Sequence, residues 1–141
     1  MTTLNEIPIE VVPVDPPADA GGGYAPAILR EVETSLAMLV ESGKASRIDL
    51  MSLPMGPRDV ERLREALGQG EVSATVDALG PTQVRETVVH GVWWITHLNV
   101  DGTKVAEFLD ITHVPEILKS HPDDARAALA RLRGFLDEQP S

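Results

Sequence analysis

The chain contains no cysteine among its 141 residues. This absence excludes disulfide bonds, a thiol nucleophile and the usual thiolate ligands of an iron–sulfur cluster or a structural zinc ion. Aromatic residues are also few, at 4% of the sequence. Leucine, valine, isoleucine and alanine must therefore form most of the hydrophobic core.

Long apolar runs are missing as well. No stretch approaches the roughly 18 consecutive apolar residues that a membrane-spanning helix needs. The first 19 residues lack the basic and apolar regions of a signal peptide, and they carry Glu6, Glu10, Asp15 and Asp19 instead. We therefore predict a cytoplasmic protein.

Positive charge is scarce. The sequence has 12 Lys and Arg against 22 Asp and Glu, which gives a net charge of −10. Nucleic acids and anionic membranes both require a basic patch, so this balance argues against either as a partner. An acidic surface favours solubility, and at low ionic strength it can also attract a basic partner.

The segment 1–26 differs in composition from the rest of the chain. It holds five prolines and the run Gly21–Gly23, which resist helix and sheet interiors. We predict an extended arm over 1–26, in which 7–12 is a candidate edge strand. The remaining 27–141 have a length that suits a single domain.

Two helices are predicted in the first half of the chain. The first spans about 26–42 and ends at Gly43, because glycine readily adopts the left-handed conformation that follows a last turn. Pro57 opens the second, since proline suits the first turn of a helix. The predicted apolar faces comprise Ile28, Val32, Leu36, Leu39 and Val40 in the first helix, and Val60, Leu63, Ala66 and Leu67 in the second.

The central part changes to an alternation with period two, which is typical of strands. Four strands are predicted over 71–79, 83–89, 92–98 and 103–111. The pair Asp101-Gly102 indicates a two-residue hairpin between the last two strands. Arg47–Leu50 is a further short strand candidate, apart from this meander.

Two helices are predicted after the strands. One is short, over 114–119, and the other begins near Pro122, with a predicted buried stripe of Ala125, Ala128, Leu129, Leu132 and Leu136. Segregated helices and strands predict an α+β fold. We expect a four-stranded antiparallel meander with about four helices, two before and two after the strands, packed mainly on one face.

Catalytic and cofactor motifs are absent from the sequence. It has no zinc-protease helix motif, no nucleophile elbow and no phosphate loop, so we predict no enzyme, no catalytic residue, no metal ligand and no cofactor. Two alternatives stay open. A metal- or cofactor-handling protein would use His97 and His113 with Glu86 or Glu107, and a small enzyme would need a closed pocket around either glutamate.

The most unusual local feature is the pair Trp93-Trp94. Adjacent residues of a strand point to opposite faces of the sheet. If Trp94 joins the core, Trp93 lies with Ile95 and His97 on the other face, which is either covered or available as an interaction surface. Tryptophan is favoured as an anchor of interfaces. Our candidate protein-binding residues therefore include Trp93, Ile95 and His97.

Two strand carboxylates complete this candidate protein-binding set. Glu86 shares its predicted face with Val84 and Val88, and Glu107 shares its face with Val105 and Leu109. A carboxylate among apolar neighbours reaches the edge, pairs with a base such as Arg85 or Lys104, or serves a site.

Several motifs across about 27–137 resemble those of the HupH/HyaF/HoxQ family of hydrogenase expression/formation proteins. In chain order they are Ile48–Met55, Gly70–Thr75 with Leu79-Gly80, Arg85–Thr87, Gly91–Trp94, Phe108–Thr112 and Val114–Leu118. Each motif alone is weak, but their joint order and spacing are specific.

The resemblance implies an assembly factor that matures an uptake [NiFe] hydrogenase. It implies binding of the hydrogenase small-subunit precursor before twin-arginine export, together with other hydrogenase accessory proteins, and it supplies no catalytic residues. Many family members are longer and have an additional related region, and a homodimer of this chain could supply that second copy.

Overall fold

The computed structural model describes residues 23–139. Its elements, in chain order, are α1 Ala25–Ser42, β1 Ser46–Asp49, α2 Pro57–Leu67, β2 Ser73–Asp77, β3 Pro81–Glu86, β4 Val92–Leu98, β5 Lys104–Ile111, a 3₁₀ turn at Glu116–Leu118 and α3 Pro122–Asp137. The predicted arm and its candidate strand at 7–12 lie outside these residues, except that α1 already begins at Ala25.

The strands form one antiparallel sheet with the order β1-β5-β4-β3-β2. The predicted α+β class and the four-stranded meander are confirmed, but the strand count was wrong. The fifth strand is β1, which pairs with β5 and places Ile48 opposite Leu109. Its partner lies far along the chain, so local alternation does not reveal the pairing. Among residues 23–139, β1 and β2 are the two edges of this sheet.

The helix count also differs from the prediction. The described residues contain three α-helices, and the helix predicted over 114–119 is only a single 3₁₀ turn. Two of the predicted helix ends are confirmed: Pro57 is the first residue of α2, and Gly43 follows α1 with φ of 75°.

The turn between β4 and β5 is longer than predicted. β4 ends at Leu98 and β5 begins at Lys104, so Asp101-Gly102 lies within a wider loop. The side chain of Asn99 orders this loop, because its Oδ1 accepts hydrogen bonds from the backbone N–H groups of Asp101 and Thr103. A local side-chain acceptor thus replaces the tight two-residue turn.

Helices α1 and α2 cover one face of the sheet and enclose the main core. This core contains Ile28, Val32, Leu39, Ile48, Leu50, Leu63, Leu67, Val92, Trp94, Leu109 and Ile111. Most of the predicted helix faces contribute to it, although Val40 and Ala66 were wrongly included because both are exposed. Leu63 of α2 and Leu109 of β5 are both fully buried in this core.

The starts of the two core helices are tied together by Asp59. One carboxylate oxygen accepts from the backbone N–H of Tyr24 at 2.9 Å, and the other accepts from that of Gly56 at 3.3 Å. A carboxylate in the first turn also interacts favourably with the helix dipole. Asp59 therefore fixes both helices at the same end of the sheet.

Helix α3 differs from the other two because none of its residues is buried. The predicted buried stripe was therefore wrong: Leu129, Leu132 and Leu136 are 45%, 55% and 59% exposed. An amphipathic pattern identifies an apolar face but does not specify where the partner of that face lies. Within residues 23–139, no helix has the length and apolar character needed to cross a membrane.

Candidate functional site

The two adjacent tryptophans point to opposite faces of the sheet, as predicted. Trp94 belongs to the helix-covered core, and Trp93 belongs to a smaller cluster on the second face with Val84 and Ile95. Trp93 is 6% exposed and Ile95 is 1% exposed. The Trp93 indole N–H donates to the backbone oxygen of Thr112 at 3.1 Å. Both side chains are therefore covered in this structure.

The strand register places Glu86 and His97 on this second face. Glu86 lies opposite Trp93, and His97 lies opposite Thr82. His97 Nδ1 forms a short hydrogen bond with the Thr82 hydroxyl, and a carboxylate oxygen of Glu86 is 3.3 Å from the exposed ring of His90. Four of the five predicted binding residues thus share one face.

The fifth residue, Glu107, lies on the opposite, helix-covered face. Its side chain is buried, and its Oε2 accepts from the Trp94 indole at 2.8 Å and from the Thr96 hydroxyl at 2.9 Å. The other oxygen, Oε1, accepts from Lys104 Nζ at 2.9 Å. Lys104 is one of the two bases named as pairing partners, but it lies on the same strand as Glu107 and not on a neighbouring strand. Arg64 also reaches Oε2, at 3.3 Å.

These contacts control the protonation of Glu107. Burial alone would raise the pKa of its carboxyl group. The hydrogen bonds from Trp94, Lys104 and Thr96, together with the Lys104 charge, outweigh burial and hold the pKa below the usual value of 4.5. A carboxylate that is stabilised in its charged form is a poor general base near neutral pH. Its geometry fits a structural anchor between α2 and the sheet.

The geometry also bears on the two open alternatives. Glu86 and Glu107 lie on opposite faces, so they do not form a carboxylate pair. Among residues 23–139, no group of three or more histidine and acidic side chains is arranged to hold a metal ion. His97 and His113 are among the residues that form no such group.

The sequence interpretation missed two features. The first is the exposed apolar stripe of α3, which we define as Leu129, Leu132, Phe135 and Leu136. The second is Arg64, whose guanidinium carbon is 4.3 Å from the centroid of the Trp94 ring. The helical spacing of the stripe was visible in the sequence, whereas nothing in the sequence placed Arg64 over a tryptophan.

Comparison with known proteins assigns the family. The model of the C-terminal conserved region of the HupH hydrogenase expression protein matches residues 24–138. The chain belongs to the HupH family. The predicted resemblance is therefore confirmed, and the matched range covers all three helices and all five strands.

Characterised relatives and a solved structure agree with this assignment. The hydrogenase expression/formation protein HoxQ of Cupriavidus necator is 30% identical over 112 residues, 79% of this chain and 40% of that protein. HupH of Rhizobium leguminosarum bv. viciae is 30% identical over 117 residues, 83% of this chain and 42% of that protein. This chain thus spans about two fifths of these relatives.

The solved structure is the hydrogenase expression protein HupH from Thiobacillus denitrificans ATCC 25259. It is 43% identical to this chain, with a TM-score of 0.79, and the alignment covers 85% of this chain and 100% of that chain. The architecture described above is therefore shared with a HupH protein over that protein's full length.

Proposed function

We propose that this chain is an assembly factor in the maturation of an uptake [NiFe] hydrogenase. It binds the hydrogenase small-subunit precursor before twin-arginine export and catalyses no reaction. Membership of the HupH family supports the hydrogenase link, because the relatives are named hydrogenase expression/formation proteins. The observation that carries the binding role is the exposed apolar stripe of α3.

The α3 stripe has the chemistry of a protein contact. Its four side chains lie at helical spacing and are 45–59% exposed, whereas soluble monomers rarely keep large apolar side chains together in water. Helices that present such a face commonly enter an apolar groove of a partner. We therefore place the precursor's contact on α3.

Charge gives a second reason to choose the precursor. A twin-arginine signal peptide is basic, and this chain has a net charge of −10. Opposite charges speed encounter and are screened by salt. Recovery of the complex should therefore fall as salt is raised, and binding that is indifferent to salt would contradict this part of the proposal.

The direct test is a tagged pull-down from cells that express the uptake hydrogenase operon, with mass spectrometry of the recovered proteins. We expect small-subunit precursor with its signal peptide attached, together with other hydrogenase accessory proteins. Absence of every hydrogenase component from the wild-type sample would overturn the proposal.

Leu132→Asp, in the α3 stripe, should reduce recovery of the precursor at least about tenfold, because a charge replaces an apolar anchor. Ala130→Asp is the matched control, since it adds the same charge on the opposite side of α3 and should leave recovery unchanged. Equal recovery of the precursor with both variants would show that α3 is not part of the interface.

The predicted binding role of the Trp93 set needs a separate variant. Trp93, Ile95, His97, Glu86 and Glu107 stay a prediction, and the burial of Trp93 means that a partner would reach it only after its cover moves. Trp93→Ala should lower recovery while the protein stays folded if Trp93 is an anchor. Loss of the fold would identify Trp93 as core.

The oligomeric state is part of the proposal. The relatives HoxQ and HupH are longer than the region that this chain matches, and a homodimer of this chain would bring two copies of the matched region together. Sedimentation of the purified protein should show a dimer at micromolar concentration, and a monomer at every concentration would exclude this arrangement.

A further inference from the structure

A pocket of about 220 Å³ lies between the end of α2 and strands β3 and β4. Arg64 and Gly68 line it from the α2 side, Arg85 and Glu86 from β3, and Trp94 from β4. We call it the arginine pocket. Its volume is below that of pockets for drug-sized ligands and suits one small group.

Arg85 is the central feature of the arginine pocket. It is only partly exposed, and its register position lies between Ser73 and Trp94 on the helix-covered face. Within residues 23–139 its side chain makes no hydrogen bond or ion pair, although the sequence suggested a partner among the glutamates. A guanidinium group offers five donors, and a partly buried cation without an anion is unfavourable. A partly buried guanidinium group without an anionic partner is typical of an anion-binding site.

Arg64 provides a second guanidinium group whose orientation is already fixed. It lies over the Trp94 ring at 4.3 Å and donates to Glu107 Oε2 at 3.3 Å. Stacking on an aromatic ring restricts the orientation of the planar guanidinium group, so its side chain loses less conformational freedom when a ligand binds. The Trp94 ring also offers an apolar wall beside the charge.

The local charge selects a monoanion. Among residues 23–139, Arg64 is already paired with the carboxylate of Glu107, so Arg85 is left as the one surplus cation of the pocket. This excess stands out in a chain with a net charge of −10, whose overall field repels anions. One surplus positive charge balances a carboxylate and undercompensates a phosphate dianion.

We infer that the arginine pocket binds a single carboxylate attached to a small apolar group, with Arg85 and Arg64 as its donors. Two sources share this chemistry, namely the C-terminus of a peptide and the side chain of a glutamate. The inference goes beyond the hydrogenase proposal. Its test uses small molecules, so its failure would leave the pull-down result unaffected.

The test is a nuclear magnetic resonance titration with N-acetylleucine, which mimics a C-terminus, and with N-acetylglutamic acid α-amide, which presents a side-chain carboxylate. We expect saturable shifts of the Trp94 indole N–H with about millimolar affinity, as fits ligands of this size. The Trp93 indole, on the other face of the sheet, should not move. The tighter ligand identifies the source, and binding of either supports the inference.

Three comparisons make the titration decisive. N-acetylleucinamide lacks the carboxylate and should not bind. Arg85→Gln should weaken binding at least about tenfold, because it removes a charged two-point contact, whereas Arg133→Gln on exposed α3 removes the same charge elsewhere and should have no effect. Both variants should keep the wild-type amide spectrum away from the substitution.

The inference is overturned by any of three results: no saturable shift with either carboxylate, unchanged affinity in Arg85→Gln, or binding of inorganic phosphate at least as tight as that of the carboxylates. Arg85→Lys keeps the positive charge but loses the planar guanidinium group and its paired donors. Its affinity for the carboxylate ligands should lie between those of wild type and Arg85→Gln.

Discussion

Helices α1 and α3 have similar lengths, 18 and 16 residues, and both are amphipathic. Only α1 is part of the core: it buries Ala25, Ile28, Val32 and Leu39, whereas α3 buries nothing. The two helices have the same kind of amphipathic pattern and differ in what their apolar faces contact. The apolar face of α1 meets the sheet and α2, while the same kind of face on α3 stays in water and is available to another molecule.

The largest expected effect comes from truncating equivalent leucines in the two helices. Leu39→Ala should lower the free energy of unfolding by about 2–5 kcal/mol, because it leaves a cavity in the core. Leu132→Ala should change it by less than about 0.5 kcal/mol, since an exposed side chain leaves no cavity. Urea denaturation measures both. Comparable losses would mean that α3 packs on the domain in solution.

The next effect tests the polar anchor on the core side. Glu107→Gln should cost about 1–3 kcal/mol, because one carboxylate oxygen becomes an NH₂ group that cannot accept the hydrogen bonds now donated by Lys104 or by the buried Trp94 indole. Glu116→Gln is the matched control, since its pair with Lys119 is exposed and its loss should not be measurable. A harmless Glu107→Gln would show that the network contributes little.

The same anchor predicts a pH dependence. Folding lowers the pKa of Glu107 below 4.5, so the unfolded chain takes up this proton first as pH falls. The stabilisation is therefore fully present above about pH 4.5 and is lost as pH falls through the lowered pKa. The difference in unfolding free energy between wild type and Glu107→Gln should shrink as the pH is lowered below about 4.5. A constant difference would contradict this assignment.

The smallest effect concerns two glycines. A Cβ at Gly134, in α3, would meet nothing within 4 Å, whereas at Gly70 it would lie 2.6 Å from the backbone oxygen of Thr87. Gly134→Ala should stabilise α3 by up to about 1 kcal/mol, which is seen as up to about fivefold slower amide exchange in that helix alone. Gly70→Ala should instead destabilise the whole domain. A global gain from Gly134→Ala would link α3 to the core.

Local patterns predicted the elements well and their partners less well. The helix boundaries at Gly43 and Pro57 follow from backbone chemistry within a few residues, and so does the alternation of β4. The pairing of β1 with β5 depends on a contact between distant segments, which alternation does not encode. The wrong placement of the α3 stripe has the same origin, because the pattern of an apolar face does not specify which residues or which molecule it packs against.

The candidate site was predictable only in part. Period two was sufficient to put Trp93 and Trp94 on opposite faces, whereas the separation of Glu86 from Glu107 required the pairing register of their strands. The arginine pocket required the crossing of α2 over the sheet, which places Arg64 above Trp94. Its other half, Arg85, was identified from sequence as a partner for a glutamate, and only the register shows that it points to the other face from Glu86.

The edges of the sheet have a consequence for behaviour at high concentration. β1 and β2 have only four and five residues, and each ends in an aspartate, Asp49 or Asp77. A short edge strand offers few backbone groups with which a strand of another molecule can pair. Its charged residue also repels the same residue of a second copy. Fibril-like stacking through strands is therefore disfavoured, even though this domain exposes an apolar helix.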